Sequence, residues 1–296
     1  SGLVDLIPKT LIFALEKNNV KTIATQERFI TTFYKSFANV VVDTYFTISE
    51  FTGNFFKNSK YCEIKNIIPI GQYRSDYIPF FKKESIPNEV LEAKSNGKKI
   101  LVILAHHVTE RWFESHTDPL LSWSAQMHFL EDILLLSKYL PNTFIVIRYK
   151  YLNVQKISYF KDVIKRIKSS KNIVISNNYH EPFYSYKLCA NADLIIAKHT
   201  SLGDECLSHN IPVLFYEYTH NMKKVFSHIF DYSPSNLMCY NFEELLEKSK
   251  SLLINNSSKI KDDIEVVNNK YFKVKEKGNI KDNIIRYVEN LINDNA

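Results

Sequence analysis

Short apolar runs, each closed by a polar or turn residue and followed by a stretch with helical spacing, recur from one end of the chain to the other. In the first part, strands are predicted at Lys21–Thr25, Val40–Ile48 and Ile64–Ile70. They are interleaved with helices over Leu3–Asn18, Arg28–Ala38 and Glu50–Asn58. Residues 72–97 carry Pro79, Pro87 and a Lys/Glu-rich run, and read as a connection. A second series follows, with strands at Lys99–Ala105, Phe144–Tyr149, Asn172–Ser176, Ala192–Ala197, Ile211–Tyr216 and Leu237–Tyr240. Helices are predicted near Ser124–Tyr139, Tyr159–Ser169, before Ala192 and from Leu202, then over Phe242–Leu253, Ile260–Tyr271 and Ile280–Ile292.

Strands that alternate with helices need crossover connections, so the pattern predicts an α/β fold with parallel, doubly wound sheets. The second series is long enough for a complete Rossmann-like unit of six strands. The first has half that number and reads as an incomplete one. The expected organisation is a partial N-terminal unit over 1–75, a connection over 76–97, and a C-terminal unit over 98–296 that includes the closing helices.

Composition narrows the chemistry. The 296 residues can bury a sizeable core, and the net charge of +6 favours a phosphate-bearing ligand or an anionic membrane surface. The lysines are scattered and no arginine-rich patch forms, so nucleic acid is not an expected partner. Cys62, Cys189, Cys206 and Cys239 lie far apart without a CxxC motif, which argues against a zinc site or disulfide framework and for a reduced compartment. No apolar run reaches the ~20 residues of a membrane span, and no secretory signal opens the chain. The expected location is the cytoplasm, extending to peripheral contact with the inner membrane.

The most informative stretch runs from Asn178 to Tyr218. After the strand ending at Ala197, Lys198-His199-Thr200-Ser201 forms a turn at the start of a helix, and Glu205 follows within the first helical turns. A turn with a cation, hydroxyls and free backbone N–H groups suits a phosphate, and the acid suits a ribose diol. The same residues also fit an ordinary β–turn–α crossover with Thr200 or Ser201 as N-cap.

Three further segments fall at predicted strand ends. His106 and His107 follow the first strand of the second series and suit phosphate binding or proton transfer near neutral pH, unless they are merely solvated. Arg148 and Lys150 are spaced by one residue and suit a phosphate or sugar carboxylate, or else form a surface salt-bridge pair. Glu27, after the first strand, is a candidate general acid or base with Arg28 as its partner, or simply begins the next helix. Asp43 and Asp193, in or beside apolar strands, read as structural. Gly71 reads as a hinge. No carboxylate or His/Cys set has metal-ligand spacing, so no metal is expected.

Taken together, ATQER, IIPIGQYRSD, KKILVILAHH, FIVIRYK and ADLIIAKHTSLGDECLSHNIPVLFYEY resemble the GT-B glycosyltransferase and nucleotide-sugar 2-epimerase superfamily from about Lys21 onward. The likeness is nearest to bacterial enzymes that build capsule, O-antigen and teichoic-acid-type polymers, Kdo transferases using CMP-Kdo among them. It implies two Rossmann-like units around a cleft, with the N-terminal unit on the acceptor side and the C-terminal unit binding the nucleotide sugar. The donor phosphate then falls to Thr200 and Ser201, and the ribose to Glu205.

The implied activity is transfer of a sugar from a nucleotide-activated donor, possible without metal, to a growing glycan or lipid-linked glycan. The nucleotide sugar is the substrate and no separate cofactor is implied. His199, Thr200, Ser201, Arg148 and Lys150 would stabilise the departing nucleotide electrostatically. Alternatives are a nucleotide-sugar 2-epimerase acting between the His106-His107 and Gln26-Glu27 loops, a CDP-polyol phosphotransferase, and a non-catalytic nucleotide-binding module of a larger synthase. This chain departs from the superfamily in lacking its glycine-rich loop.

Overall fold

The computed structural model describes residues 6–29, 40–84, 86–106, 108–110, 113, 122–178, 180–198, 200–217, 219, 232, 235–255, 258–274 and 278–293. These form two compact units. The first joins the residues up to Asp76 with those from Val267 onward, and the second is the contiguous stretch Tyr77–Val266.

In the first unit, helix α1 (Leu6–Lys17) precedes strand β1 (Ile23–Thr25), then β2 (Val41–Thr47), helix α2 (Glu50–Lys57) and β3 (Glu63–Pro69). The strands pair in parallel in the order β1-β2-β3. Most of the helix expected over Arg28–Ala38 lies outside the described residues. Strand β2 is buried along nearly its whole length, as a central parallel strand must be. Val40, Val42, Tyr45 and Phe56 form one core cluster. Helix α2 starts at a reciprocal cap in which the Ser49 hydroxyl accepts from the Thr52 N–H and the Thr52 hydroxyl accepts from the Ser49 N–H.

The chain's last segment completes this unit. A π-helical turn (Asn268–Phe272) sets Phe272 against Phe29, with ring centroids 4.9 Å apart, and Tyr271 against Phe51, also at 4.9 Å. The terminal helix (Ile280–Asn293) then buries Ile280 with Phe46 and Ile70. Tyr287 meets Phe46 edge-on at 5.2 Å and shares a 3.2 Å hydrogen bond with the Thr44 hydroxyl. Gly71 leaves room for this docking. Its φ of +105° suits glycine, and a Cβ there would lie 2.6 Å from the Ile280 Cδ1. One Asp76 carboxylate oxygen accepts from the N–H groups of Ile280 (3.0 Å) and Lys281 (3.2 Å), capping the terminal helix from across the sequence.

The second unit begins with two helices, α3 (Tyr77–Glu84) and α4 (Asn88–Ser95), where a bare connection was expected. Pro79 sits in the first turn of α3, where its missing N–H costs no helical bond, and Pro87 occupies the N-cap position of α4. Next come β4 (Lys99–Ala105), α5 (Trp123–Tyr139), β5 (Thr143–Tyr149), α6 (Lys161–Ser169) and β6 (Ile173–Ile175). They are followed by α7 (Tyr184–Ala190), β7 (Leu194–Ala197), α8 (Ser201–Ser208), β8 (Val213–Tyr216), β9 (Met238–Cys239), α9 (Phe242–Leu253) and α10 (Ser258–Val267). The boundary between the units falls at the last residue of α10.

All six strands are parallel and lie in the order β6-β5-β4-β7-β8-β9. Counted within the unit this is 3-2-1-4-5-6, the doubly wound dinucleotide-binding order. Its winding reverses between β4 and β7, which pair with Leu104 opposite Ala197. Ile100 through Ile103, Ile145 through Ile147 and Leu194 through Ala197 are completely buried, so helices cover both faces. Asp193 is structural, as expected, its carboxylate accepting from the Ile100 N–H at 2.8 Å.

Asp43 in β2 is the other acid read as structural, and it is buried. It accepts from the Lys65 ammonium at 2.8 Å and from the Thr22 N–H at 2.8 Å and hydroxyl at 2.9 Å. The Lys65 hydrogen bond, followed by that of the Thr22 backbone, holds its carboxyl at about 2, below the ordinary range. A depressed carboxylate pKa stabilises the fold above the unfolded-state value of about 4, and the contribution is lost as pH falls towards about 2. Asp43→Asn is therefore expected to unfold more readily at pH 7 and to lose less further stability between about pH 4 and 2 than the parent, as read by chemical denaturation at each pH.

Candidate functional site

In a doubly wound sheet, ligands bind outside the carboxyl ends of the strands at the reversal point, here between β4 and β7. The strand interiors of the second unit are aliphatic, yet the carboxyl ends are polar. His106 follows β4, Arg148 lies at the end of β5, Ser176 follows β6, Lys198 follows β7 and Glu217 follows β8. Of these, Arg148, Ser176, Lys198 and Glu217 are buried. Burying polar groups is costly, and here they gather along one edge of the sheet.

Helix α8 is set at this edge by close packing. A Cβ on Gly203 would lie 3.1 Å from the Phe215 ring of β8 and 3.4 Å from the Ala197 Cβ of β7, so the helix rides directly on the sheet. Thr200 is the N-cap, with extended backbone and its hydroxyl accepting from the Gly203 N–H at 3.2 Å. The capping reading of Thr200 is thus realised. Ser201 is the first helical residue and half-buried. Lys198, one residue beyond Ala197, points to the other face and sets its ammonium 4.6 Å over the Phe129 ring of α5.

Two acids follow in α8. Glu205 lies four residues after Ser201, on the same helical face, and is 2% exposed. It accepts a 2.6 Å hydrogen bond from the Tyr186 hydroxyl of α7. Asp204 is fully buried and accepts from the Tyr232 hydroxyl, while Tyr232 stacks on Phe215 at 4.8 Å. Burial pushes the Asp204 carboxyl up to about 8, and the nearby Glu205 charge adds to the shift.

The Arg148 and Lys150 side chains part company. The Arg148 guanidinium is buried, donates to the Ser185 hydroxyl at 2.9 Å and lies 5.7 Å from the Tyr184 ring centroid. Burial pulls its pKa down and the Glu89 charge pulls it up. Lys150 is exposed, 5.4 Å over the Tyr151 ring. His106 is half-buried. His107 and His199 lie outside the described residues.

Glu27, in the first unit, is exposed and pairs with Arg28 at 3.4 Å and Arg74 at 3.3 Å. The structure thus brings Thr200, Ser201 and Glu205 together on α8, puts His106 and Arg148 on the same sheet edge, and leaves Glu27 in a separate unit. Among the described residues no group of three or more His, Cys, Asp or Glu side chains could hold a metal ion, and no helix is long and apolar enough to cross a membrane.

Sequence reasoning overlooked Tyr186, Ser185 and Glu217. The last had a readable signal, because a charged residue directly after a buried strand repeats the Lys198 pattern. Glu217 accepts from both the N–H and the hydroxyl of Thr219.

No family model matches this sequence, and no curated protein matches it. Solved structures do match. A wall teichoic acid polymerase, TagF, superimposes with a TM-score of 0.55 at 16% identity over 86% of this chain and 58% of its own, so this chain spans under two thirds of that protein. A variant of TagF soaked with CDPG matches with a TM-score of 0.55 at 15% identity, again over 86% of this chain and 58% of its own. S. aureus MnaA with UDP gives 0.61 at 14% identity over 95% of this chain and 72% of its own. A Listeria monocytogenes protein described as a UDP-N-acetylglucosamine 2-epimerase gives 0.60 at 12% identity over 98% and 80%. The fold is GT-B-like α/β, with a three-stranded parallel sheet in the first unit and a six-stranded one in the second among the described residues.

Asp204 yields a pH signature. An acid whose folded pKa is raised binds its proton more tightly when folded. The associated stability is fully present below the unfolded value of about 4 and is lost as pH rises through about 8. Asp204→Asn is expected to flatten the decline across that window, which thermal melting from pH 4 to 9 would reveal.

Proposed function

We propose that the second unit binds a nucleotide-linked donor at the carboxyl ends of β4 and β7 and that the protein transfers the activated group to a bacterial surface glycan. The observation that carries this reading is the reversal of strand order at the point where the His106 loop and the capped start of α8 emerge side by side. Ser201 and the first N–H groups of α8 hold the donor phosphate. Thr200 shapes that end of the helix, and Glu205 takes the ribose. Lys198 and Arg148 supply positive charge from within the sheet edge, where low dielectric strengthens their effect on a departing anion. Lys150 and His199 complete the phosphate side of the proposal.

The sequence resemblance extended to CMP-Kdo as donor. Neighbours studied with CDPG and with UDP favour instead a group linked through a nucleoside diphosphate. A glycosyl residue and a phosphorylated polyol are both compatible with that linkage. The acceptor is a glycan or lipid-linked glycan.

Replacing Thr200 and Ser201 together by alanine removes the Ser201 hydrogen bond to a charged group, worth roughly 1.5–3 kcal/mol, and the Thr200 cap that sets the helix end. Calorimetry with UDP and CDP is expected to show at least tenfold weaker binding in a folded double variant, and unchanged affinity would end the reading. Glu27, His106 and His107 are the proposed acid–base groups. Their alanine variants are expected to lower turnover by ~10²–10⁴ with little change in nucleotide affinity.

A 2-epimerase is the second reading, prompted by the Listeria protein described as one, which matches over 98% of this chain with a TM-score of 0.60. Incubation with a UDP-sugar and no acceptor separates the two. An epimerised sugar supports the second reading, and nucleotide release that depends on added acceptor supports transfer.

A further inference from the structure

Tyr186 was singled out by no motif, yet it holds the one carboxylate that the proposed site assigns to the ribose. Its hydroxyl lies 2.6 Å from the Glu205 Oε2. A hydrogen bond to a charged acceptor at that length is strong and directional. It reaches from α7 to α8 across 19 residues of sequence.

The ring that carries this hydroxyl is itself fixed. Tyr186 packs 5.6 Å from Tyr77 and 6.3 Å from Phe183, and Tyr77 stacks on Phe183 at 4.3 Å with a 30° interplanar angle. Phe183 holds the N-cap position of α7 in the left-handed conformation, φ 61° and ψ 7°, with no side-chain cap bond. An aromatic residue adopts that region only where its surroundings determine it, and the start of a short helix is here set by ring stacking. Helix α7 therefore delivers the Tyr186 hydroxyl at a defined point. A glutamate side chain has several rotatable bonds, so a bond that fixes one carboxylate oxygen also fixes where the other points.

We propose that Tyr186 is a positioning residue that orients Glu205 to read the ribose hydroxyls, so that the aromatic stack around α7 sets the preference for ribonucleotides over 2′-deoxyribonucleotides. This rests on the nucleotide reading of the α8 site. A plain α7–α8 staple would give the same distance but no such preference.

The test is calorimetric titration of the full chain, and of Tyr186→Phe, Glu205→Gln and the double variant, with UDP and with 2′-deoxy-UDP. Thermal melting of each variant accompanies the titrations. The wild type should favour UDP by about tenfold, the scale of one charged hydrogen bond. Tyr186→Phe should reduce that ratio to about twofold through weaker UDP binding, with 2′-deoxy-UDP affinity within twofold of wild type. In the Glu205→Gln background, which removes the carboxylate itself, Tyr186→Phe should leave the ratio unchanged. A Tyr186→Phe ratio equal to wild type, with only the melting temperature lowered, would overturn the proposal. A further fall in the Glu205→Gln background would do the same. Absence of binding by the wild type to either nucleotide overturns the underlying reading as well. Should Tyr186→Phe fail to fold, Tyr77→Ala withdraws the supporting ring, and an unaltered ratio in that variant counts against the positioning role.

Discussion

The separation between α8 and its sheet governs the second unit. At Gly203 the helix backbone comes so near Phe215 and Ala197 that even a methyl group would crowd the contact. That closeness settles where the helix begins, and so where Thr200 and Ser201 present their groups relative to the end of β4. A larger side chain at that position would lift α8 and move its start, whatever residues stood in the turn. The buried Asp204–Tyr232 bond acts on the same helix from another side. Its cost in unfavourable ionisation is the kind of local compromise found where a fold serves something besides stability.

The first unit is held by a different device. Its small parallel sheet gains a cover from the far end of the chain, and the contact depends on three matched details. Gly71 leaves room for Ile280, Asp76 caps the helix that Ile280 begins, and Tyr287 closes over Phe46 while bonding to Thr44. Apolar burial, helix capping and one half-buried hydroxyl pair thus converge on a single helix. A three-stranded sheet of this size has few other ways to cover a face.

Much of this was legible in the residues. Aliphatic runs such as KKILVILA and FIVIRY read as buried parallel strands when helices intervene, and their polar ends marked the edge of the sheet where the site is proposed. The prolines misled. Pro79 and Pro87 look like breaks in a connection, yet each stands at a helix start where proline fits, so α3 and α4 went unrecognised. Strand limits were drawn wide, as at Ala192, where Asp193 bonds to the neighbouring strand before the run of Leu194–Ala197 begins. The Tyr186–Glu205 bond was beyond reach, because helix periodicity fixes faces within an element and says nothing about which side chains meet between two of them. The spacing of Arg148 and Lys150 suggested a shared patch, but the strand ends between them, and only the first is drawn into the interior.

The composition of the first unit from both ends of the chain bears on how the protein is made. The second unit is contiguous, so every residue it needs has been synthesised by the time Val266 is added. The first unit begins emerging earlier, yet waits for Val267–Ala296, the segment that brings Ile280 and Tyr287. At ~5–20 residues per second that delay spans synthesis of the whole second unit, on the order of ten seconds or more. Throughout it, the partner surface of Phe46 and Ile70 lacks its native cover. The nascent chain therefore matures in reverse of its sequence order, with the later-made unit closing first and the earlier-made one remaining open to chaperones until the segment carrying Ile280 and Tyr287 emerges.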